Sequence, residues 1–455
     1  VRESGAILLV ACYELGHQPL AVAWPAAFLE ERGYAPAVMD VSVDRFDTER
    51  VRRARMVAIS VPMHTALRLG TTVARRVREI NPACHICFFG LYATLNAPYL
   101  LAHVADSVLG GETEQALVEL VQQLERADGA PRPARGPQLE KLSFVVPSRA
   151  NLPGLKRYAH LERDGRREPA GYVEASRGCK HQCRHCPIPP VYGGRFFVVP
   201  LDVVLADIRQ LVDAGARHVT FGDPDFLNGP RHALAVARAL HQEFPDVTFD
   251  FTAKVQHLLR QRTLLTELGA AGAIFVVSAV ESLSDSVLAH LVKGHTRADA
   301  VAALEAVRAA GIAFRPTWVP FTPWTTLEDY REILAFVETE RLIDHVDPVQ
   351  YSIRLLVPPG SLLLDSPAMQ PHLGPLVEDG FYYRWTHSDA RMDRLQEDVG
   401  RVVAQAADGR EDAATTFGRV CALADAAAGV APRLAPAALA ADRPRPPRLT
   451  EAWFC

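Results

Sequence analysis

Short apolar runs alternate with longer stretches of helical periodicity over the first 126 residues. Segments 6–12, 35–40, 56–61, 84–89 and 106–109 are short, mostly apolar runs of strand length, as expected for strands buried on both faces. Residues 66–80 and Glu114–Arg126 repeat apolar positions at three- and four-residue spacing and predict amphipathic helices. Strand and helix in alternation predict a doubly wound, Rossmann-like parallel α/β sheet, whose ligands sit beyond the carboxyl ends of its strands. The loops there are 13–19, 62–65, 90–96 and 110–112. His17 and His64 lie in these loops and are expected to be solvated. Cys84 and Cys87 fall within one apolar strand, where period two sends them to opposite faces, so they read as core thiols rather than a redox pair.

Segment 127–136 is rich in Pro, Gly and Arg and reads as a linker; with residues up to 170 it forms a connecting arm. A second alternating series follows. Strands are expected at 172–176, 217–221, 247–253, 273–279, 314–319 and 349–356, each followed by a polar loop. Six such units predict a partial (β/α)6 barrel over 171–375, with its chemistry at the carboxyl ends of the strands. Arg315, Tyr351 and Arg354 are expected to face its interior. Residues 376–430 predict a helical region, and 431–455 a Pro-, Ala- and Arg-rich flexible tail.

The first strand of the second series runs into Ser176-Arg177-Gly178-Cys179-Lys180-His181-Gln182-Cys183-Arg184-His185-Cys186-Pro187. The three cysteines are separated by three residues and then two. A structural zinc site wants four ligands, commonly as two separated Cys-x-x-Cys pairs, and no second pair follows here. Three thiolates on a four-iron cubane leave one iron open to a ligand from outside the protein. Gly178 allows a tight backbone turn before the first cysteine.

Cys-x-x-x-Cys-x-x-Cys on the loop after a strand resembles the signature of the radical S-adenosylmethionine (SAM) superfamily. The resemblance implies a [4Fe–4S] cluster on Cys179, Cys183 and Cys186, with SAM chelating the open iron. It implies reductive cleavage of SAM to a carbon radical. His185 takes the position, usually aromatic in that superfamily, that packs on the adenine. Gly222-Asp223-Pro224-Asp225-Phe226 lies where the superfamily carries its Gly-Gly-Glu-like motif, so Gly222, Asp223 and Asp225 become candidates for the methionyl amino group. Lys254 ends the third strand. Ser278, Glu281 and Ser282 end the fourth and resemble the superfamily's Gly-x-Glu-Ser. Lys293 is a candidate partner of the methionyl carboxylate.

The first 126 residues resemble the cobalamin-binding domain found upstream of many radical SAM enzymes, with Gly90-Leu91-Tyr92 and Gly110-Gly111-Glu112 at its glycine turns. The family's Asp-x-His-x-x-Gly is absent: Glu14-Leu15-Gly16-His17 does not match it. Cobalamin is therefore left open as a further cofactor. Segments 222–230, 320–326 and 353–361, together with the ending Trp453-Phe454-Cys455, resemble the CUAEP/CCAEP-tail radical SAM protein family. In that family a second cysteine or a selenocysteine follows, so the expectation is a reading frame continued through a selenocysteine codon. Cys455 becomes a candidate catalytic thiol. The reaction implied is radical chemistry on a small molecule, free or bound to the tail thiol, such as 3-amino-3-carboxypropyl transfer to a thiophilic element like arsenic. Cobalamin-dependent radical methylation and a non-enzymatic iron–sulfur sensor are the alternatives.

Composition narrows the setting. Of 455 residues, 49% are hydrophobic and 22% charged, ordinary for a globular protein, and the net charge of −4 gives no reason to expect nucleic acid or a membrane surface as partner. Eight scattered cysteines suit a reducing compartment, and the cytoplasm is expected. A small-molecule substrate and an electron donor such as flavodoxin or ferredoxin are the expected partners.

Overall fold

The computed structural model describes residues 1–126, 136–431 and 443–451. Five strands form the first sheet: β1 (Ile7–Ala11), β2 (Ala37–Asp40), β3 (Met56–Ser60), β4 (His85–Phe89) and β5 (Ser107–Leu109). Their order is β2-β1-β3-β4-β5 and every pairing is parallel. Helices cover both faces, so nearly all of the strand side chains are buried. Cys84 and Cys87 are buried in two different apolar clusters on opposite sides of this sheet, and burial pushes both thiols up to about 12. They are core residues.

The second sheet has seven strands in the order β13-β12-β11-β10-β7-β6-β16. Its parallel body is β7 (Arg166–Val173), β10 (His218–Phe221), β11 (Thr248–Thr252), β12 (Ala273–Glu281) and β13 (Ala313–Trp318). β6 (His160–Arg163) pairs antiparallel with β7, so the end of the expected connecting arm belongs to this sheet. β8 (Ser176–Gly178) and β9 (Phe196–Val198) form a separate two-stranded ribbon beside it.

The sixth barrel strand expected at 349–356 does not form. Pro348–Ser352 is a 3₁₀ turn, and only an isolated bridge joins Phe321 to Arg354. The physical reason is that β13 finds another partner: the Gln350 side-chain oxygen accepts the Trp318 N–H at 3.0 Å. Tyr351 packs on Phe417 and Arg354 lies over the Trp385 ring, so both face the carboxyl-terminal region rather than the barrel. Arg315 alone of the three lines the lumen, in a cavity of about 40 Å³ shared with Asp250, Asp347 and Glu451.

The carboxyl-terminal region contains the hairpin β14 (Leu373–Val377) and β15 (Tyr382–Trp385), then helices Ala390–Gly409 and Ala413–Ala428. Residues 443–451, expected to be flexible, are docked. β16 (Arg448–Leu449) adds to β6, Arg448 pairs with Glu162, Arg443 with Asp344 and Asp412, and Arg315 reaches the Pro447 carbonyl at 3.5 Å. Cys455 lies outside the described residues. Among the described residues no helix is long and apolar enough to cross a membrane.

Arg149 ties the pieces together from the connecting arm. It holds Asp207 bidentately at 2.6 and 2.8 Å, Gln18 at 2.8 Å and the Tyr172 carbonyl at 2.7 Å, and it is buried with Asp207. Replacing one partner strands the other's charge in a low-dielectric site. Arg149→Met is therefore expected to destabilise by about 3–5 kcal/mol, with Asp207→Leu in addition recovering part of the loss. Urea unfolding of the two variants checks this; equal stability of Arg149→Met and the parent would refute it.

Candidate active site

β7 leads through Glu174 and Ala175 into β8 and the cysteine loop. Gly178 has φ +74°, and a Cβ there would lie 2.4 Å from the Arg195 carbonyl oxygen, so the ribbon turn demands glycine. Cys179 and Cys183 are buried and Cys186 is partly buried; none is in a disulfide. Cys183 is close enough to raise both of the other thiols. Burial, aided by Cys183, pushes Cys179 up; burial, with Cys183 and Cys179, pushes Cys186 up to about 12. Such thiols ionise only beside positive charge. Lys254, at the end of β11, supplies one and donates to Cys183 Sγ at 3.3 Å.

Asp223, at the end of β10, does not reach into the site. Its carboxylate accepts the Ala175 N–H at 2.9 Å and the Ser176 hydroxyl, pinning the entry to the cysteine loop. Gly222 has no room for a side chain, because a Cβ would lie 2.1 Å from the Tyr172 ring. Asp225 uses one oxygen to cap the short turn Phe226–Asn228 and turns the other toward His181 and His257.

Glu281 ends β12 at a bulge, with φ +67°, a left-handed conformation that costs energy for a non-glycine residue. Its Oε1 lies 3.2 Å from Lys293 Nζ and 3.3 Å from His185 Nε2. Burial pushes the Glu281 carboxyl up, but the Lys293 charge and the His185 contact outweigh it and hold the group at about 2. Lys293 follows Val292 at φ +54°, an outlier for a β-branched residue. Two strained residues thus present one ion pair beside the third cysteine. The Ser278 hydroxyl and His185 Nδ1 are buried with no partner. Ser282 turns back to cap the backbone N–H of Ser284.

Two parts of this neighbourhood escape a reading of the sequence. His181 and His257 approach each other across Asp225, and only the observation that both precede or follow expected strand-end motifs hints at it. Arg177 is gripped by Glu112, Glu114 and Glu174 at 3.1, 2.7 and 2.9 Å and lies over the Trp24 and Phe144 rings. The first sheet therefore holds the cysteine loop directly.

The loops at the carboxyl ends of the first sheet are occupied by the chain itself. Glu112 also accepts the Tyr192 hydroxyl at 2.9 Å, and Gly111 lies against the Gln138 carbonyl, where a Cβ would come within 2.0 Å. His17 is buried rather than solvated, stacked on Tyr172 and 2.9 Å from Glu451 Oε1. His64 Nε2 lies 2.8 Å from the Gly380 carbonyl. Each histidine meets a protein partner through Nε2, while His17 Nδ1 is buried without a hydrogen-bond partner. At the cysteine loop, soft, buried thiols, an adjacent lysine and orphaned polar atoms fit an iron–sulfur cluster and a polar ligand on its open iron.

A curled sheet of parallel strands with three cysteines after its first strand defines a radical SAM fold. Residues 173–337 match the family model described as Radical SAM superfamily, and the chain carries that domain. The domain's cofactors are a [4Fe–4S] cluster and SAM, and its proteins are enzymes. The chain is 30% identical over 149 residues to a tRNA-2-methylthio-N(6)-dimethylallyladenosine synthase of Paraburkholderia phymatum, covering 32% of this chain and 29% of that protein. It is 26% identical over 189 residues to the ribosomal protein uS12 methylthiotransferase RimO of Porphyromonas gingivalis, covering 37% and 41%. The chain thus spans less than half the length of these relatives. Among solved structures, the radical SAM methyltransferase TsrM of Kitasatospora setae, with cobalamin and a [4Fe–4S] cluster bound, aligns at TM-score 0.60 and 18% identity over 74% of this chain and 73% of that one. The cobalamin-dependent radical enzyme OxsB, with aqua-cobalamin and SAM bound, aligns at TM-score 0.66 and 13% identity over 91% and 72%.

The Asp223 clamp has a pH signature. Burial pushes its carboxyl from 3.8 to about 7, against the opposing hydrogen bonds of Ser176 and Ala175. The folded protein keeps a proton that the unfolded chain releases, so this group's stabilisation is full below about pH 4 and lost as pH rises to about 7. Relative to Asp223→Asn, the parent should lose on the order of 1 kcal/mol per pH unit across that window. Denaturant titrations at several pH values test it, and a flat difference refutes it.

Proposed function

We propose that the protein reductively cleaves SAM at Cys179, Cys183 and Cys186 and directs the resulting carbon radical to a small substrate. The observation that carries this is the Lys293–Glu281–His185 ion pair beside the cysteine loop. When bound, the cluster supplies the electron that breaks a carbon–sulfur bond of SAM. Lys254 stabilises the Cys183 thiolate. Lys293 receives the methionyl carboxylate. Glu281, ionised throughout the working pH range, and the Ser278 hydroxyl accept and donate to the polar groups of the nucleoside and amino acid. His185 offers its ring face to the adenine. The buried walls exclude water that would quench a radical. A flavodoxin- or ferredoxin-type reductant supplies the electron.

Within this function, the Cys455 thiol is the proposed carrier of the substrate, following the resemblance of the chain's ending to the CUAEP/CCAEP tail. The specific reaction is then 3-amino-3-carboxypropyl transfer to a thiophilic element such as arsenic. A second reading, cobalamin-dependent methylation, is favoured by the fold shared with TsrM and OxsB. A corrinoid absorption spectrum of protein purified from cobalamin-supplied cells would support it.

The test is anaerobic cluster reconstitution, addition of SAM and dithionite, and identification of the nucleoside product with and without arsenite. Methylthioadenosine that rises with arsenite supports 3-amino-3-carboxypropyl chemistry; 5′-deoxyadenosine assigns the adenosyl radical instead. The absence of both nucleosides would overturn the proposal. Lys293→Met should weaken SAM binding roughly tenfold, the worth of one charge-assisted hydrogen bond, while leaving iron content unchanged. Unaltered SAM affinity in that variant would remove Lys293 from the site.

A further inference from the structure

His181, Asp225 and His257 come from three separate elements: the cysteine loop, the loop after β10 and the helix Val255–Arg260. Their ligand atoms lie within 4.8 Å of one another. Asp225 Oδ2 is 2.8 Å from His257 Nδ1 and 3.7 Å from His181 Nε2. Asp225 is fully buried. Yet Asp225 Oδ2, His257 Nδ1 and His181 Nε2 are all buried without a well-directed hydrogen bond. The close approach of Asp225 and His257 therefore does not satisfy either group, and three unsatisfied atoms converge on one point. Such convergence is costly unless something sits between them.

We infer that these three residues bind a divalent transition-metal ion, separate from the iron–sulfur cluster. Two imidazoles and one carboxylate form the donor set of zinc and of non-haem ferrous sites with open positions. Metal–ligand bonds of about 2.0–2.1 Å at tetrahedral to octahedral angles put donor atoms roughly 2.8–3.4 Å apart. The observed 2.8 Å lies at the short end of that range and the observed 3.7 Å just beyond its long end, so a small movement of His181 would complete the site. Lys254, Lys293 and Arg260 add positive charge around His181, and of these the two lysines are each turned to an anion: Lys254 to Cys183 and Lys293 to Glu281. Asp225 keeps its other oxygen on the Leu227 N–H at 3.1 Å, which fixes the direction of the free one. Three protein ligands leave a position for water or for a carboxylate of the substrate. The assignment withdraws Asp225 from the methionyl amino group and does not depend on which radical the site forms.

The experiment uses the full chain with its cluster reconstituted and the oxidised cluster intact. It is dialysed against zinc, and zinc and iron are counted together. The expected result is about one zinc per chain beyond the full iron content, with a zinc K-edge spectrum showing only nitrogen and oxygen donors at about 2.0–2.1 Å. His257→Gln and Asp225→Asn should each weaken zinc binding by roughly tenfold or more, whereas His241→Gln should not. No stoichiometric zinc in the parent, zinc gained only as iron is lost, sulfur donors in the spectrum, or undiminished binding in both variants would each overturn the assignment. Failure here leaves SAM cleavage untouched, since the readout contains no turnover.

Discussion

Desolvation of the three thiols is the constraint to which the second half of the chain answers. A buried cysteine resists ionisation, and Cys179 and Cys186 are both pushed up by burial, with Cys183 beside each adding to the shift. A thiolate cluster survives in such a place only if positive charge is delivered and water is kept out. Lys254 on Cys183 answers the first need. The second is met by packing the loop against two sheets at once. The strained backbone at Glu281 and Val292 belongs to the same economy, since it aims a charged pair that ordinary strand and helix ends would have pointed elsewhere.

The first sheet takes part in this as a structural support. Arg177 leaves the cysteine loop and is held by Glu112 from the turn after β5, by Glu114 at the start of the helix Glu114–Arg126, and by Glu174. Burial pushes Glu112 and Glu174 up, and the Arg177 charge opposes that shift in both. Neither partner is comfortable alone, so the ion cluster couples the position of the loop to the position of the domain. Glycine turns that resemble a cofactor cradle are here filled by Gln138 and Tyr192.

Much of the architecture is legible in the sequence for one reason. Strands buried on both faces are mostly apolar, so segments such as 56–61 and 84–89 declare themselves without a tertiary context. The cysteine spacing declares the cluster loop in the same local way. The failures share the opposite cause. Segment 349–356 has strand-like composition, but whether it pairs depends on Gln350 reaching Trp318, which no periodicity records. The docking of 443–451 depends on arginines meeting Asp344, Asp412 and Glu162, each far away in the chain. A Pro- and Arg-rich composition describes the unbound segment correctly and says nothing of what it finds.

Asp223 and Asp225 show how finely this limit cuts. Two residues apart in one motif, they carry the same charge and the same expectation. Both lie past the end of the strand at Phe221, where the turn through Pro224 sends them apart: Asp223 back onto Ala175 and Ser176, Asp225 forward into the space between His181 and His257. One carboxylate is spent on holding the loop that carries the cysteines, and its hydrogen-bonding capacity is satisfied within the chain. The other keeps an oxygen unsatisfied in a place where water is scarce. An unsatisfied buried carboxylate is the less stable arrangement, and a chain that retains it has reserved it for a partner of opposite charge. The division of labour between the two aspartates follows from solvation alone, before any reaction is considered.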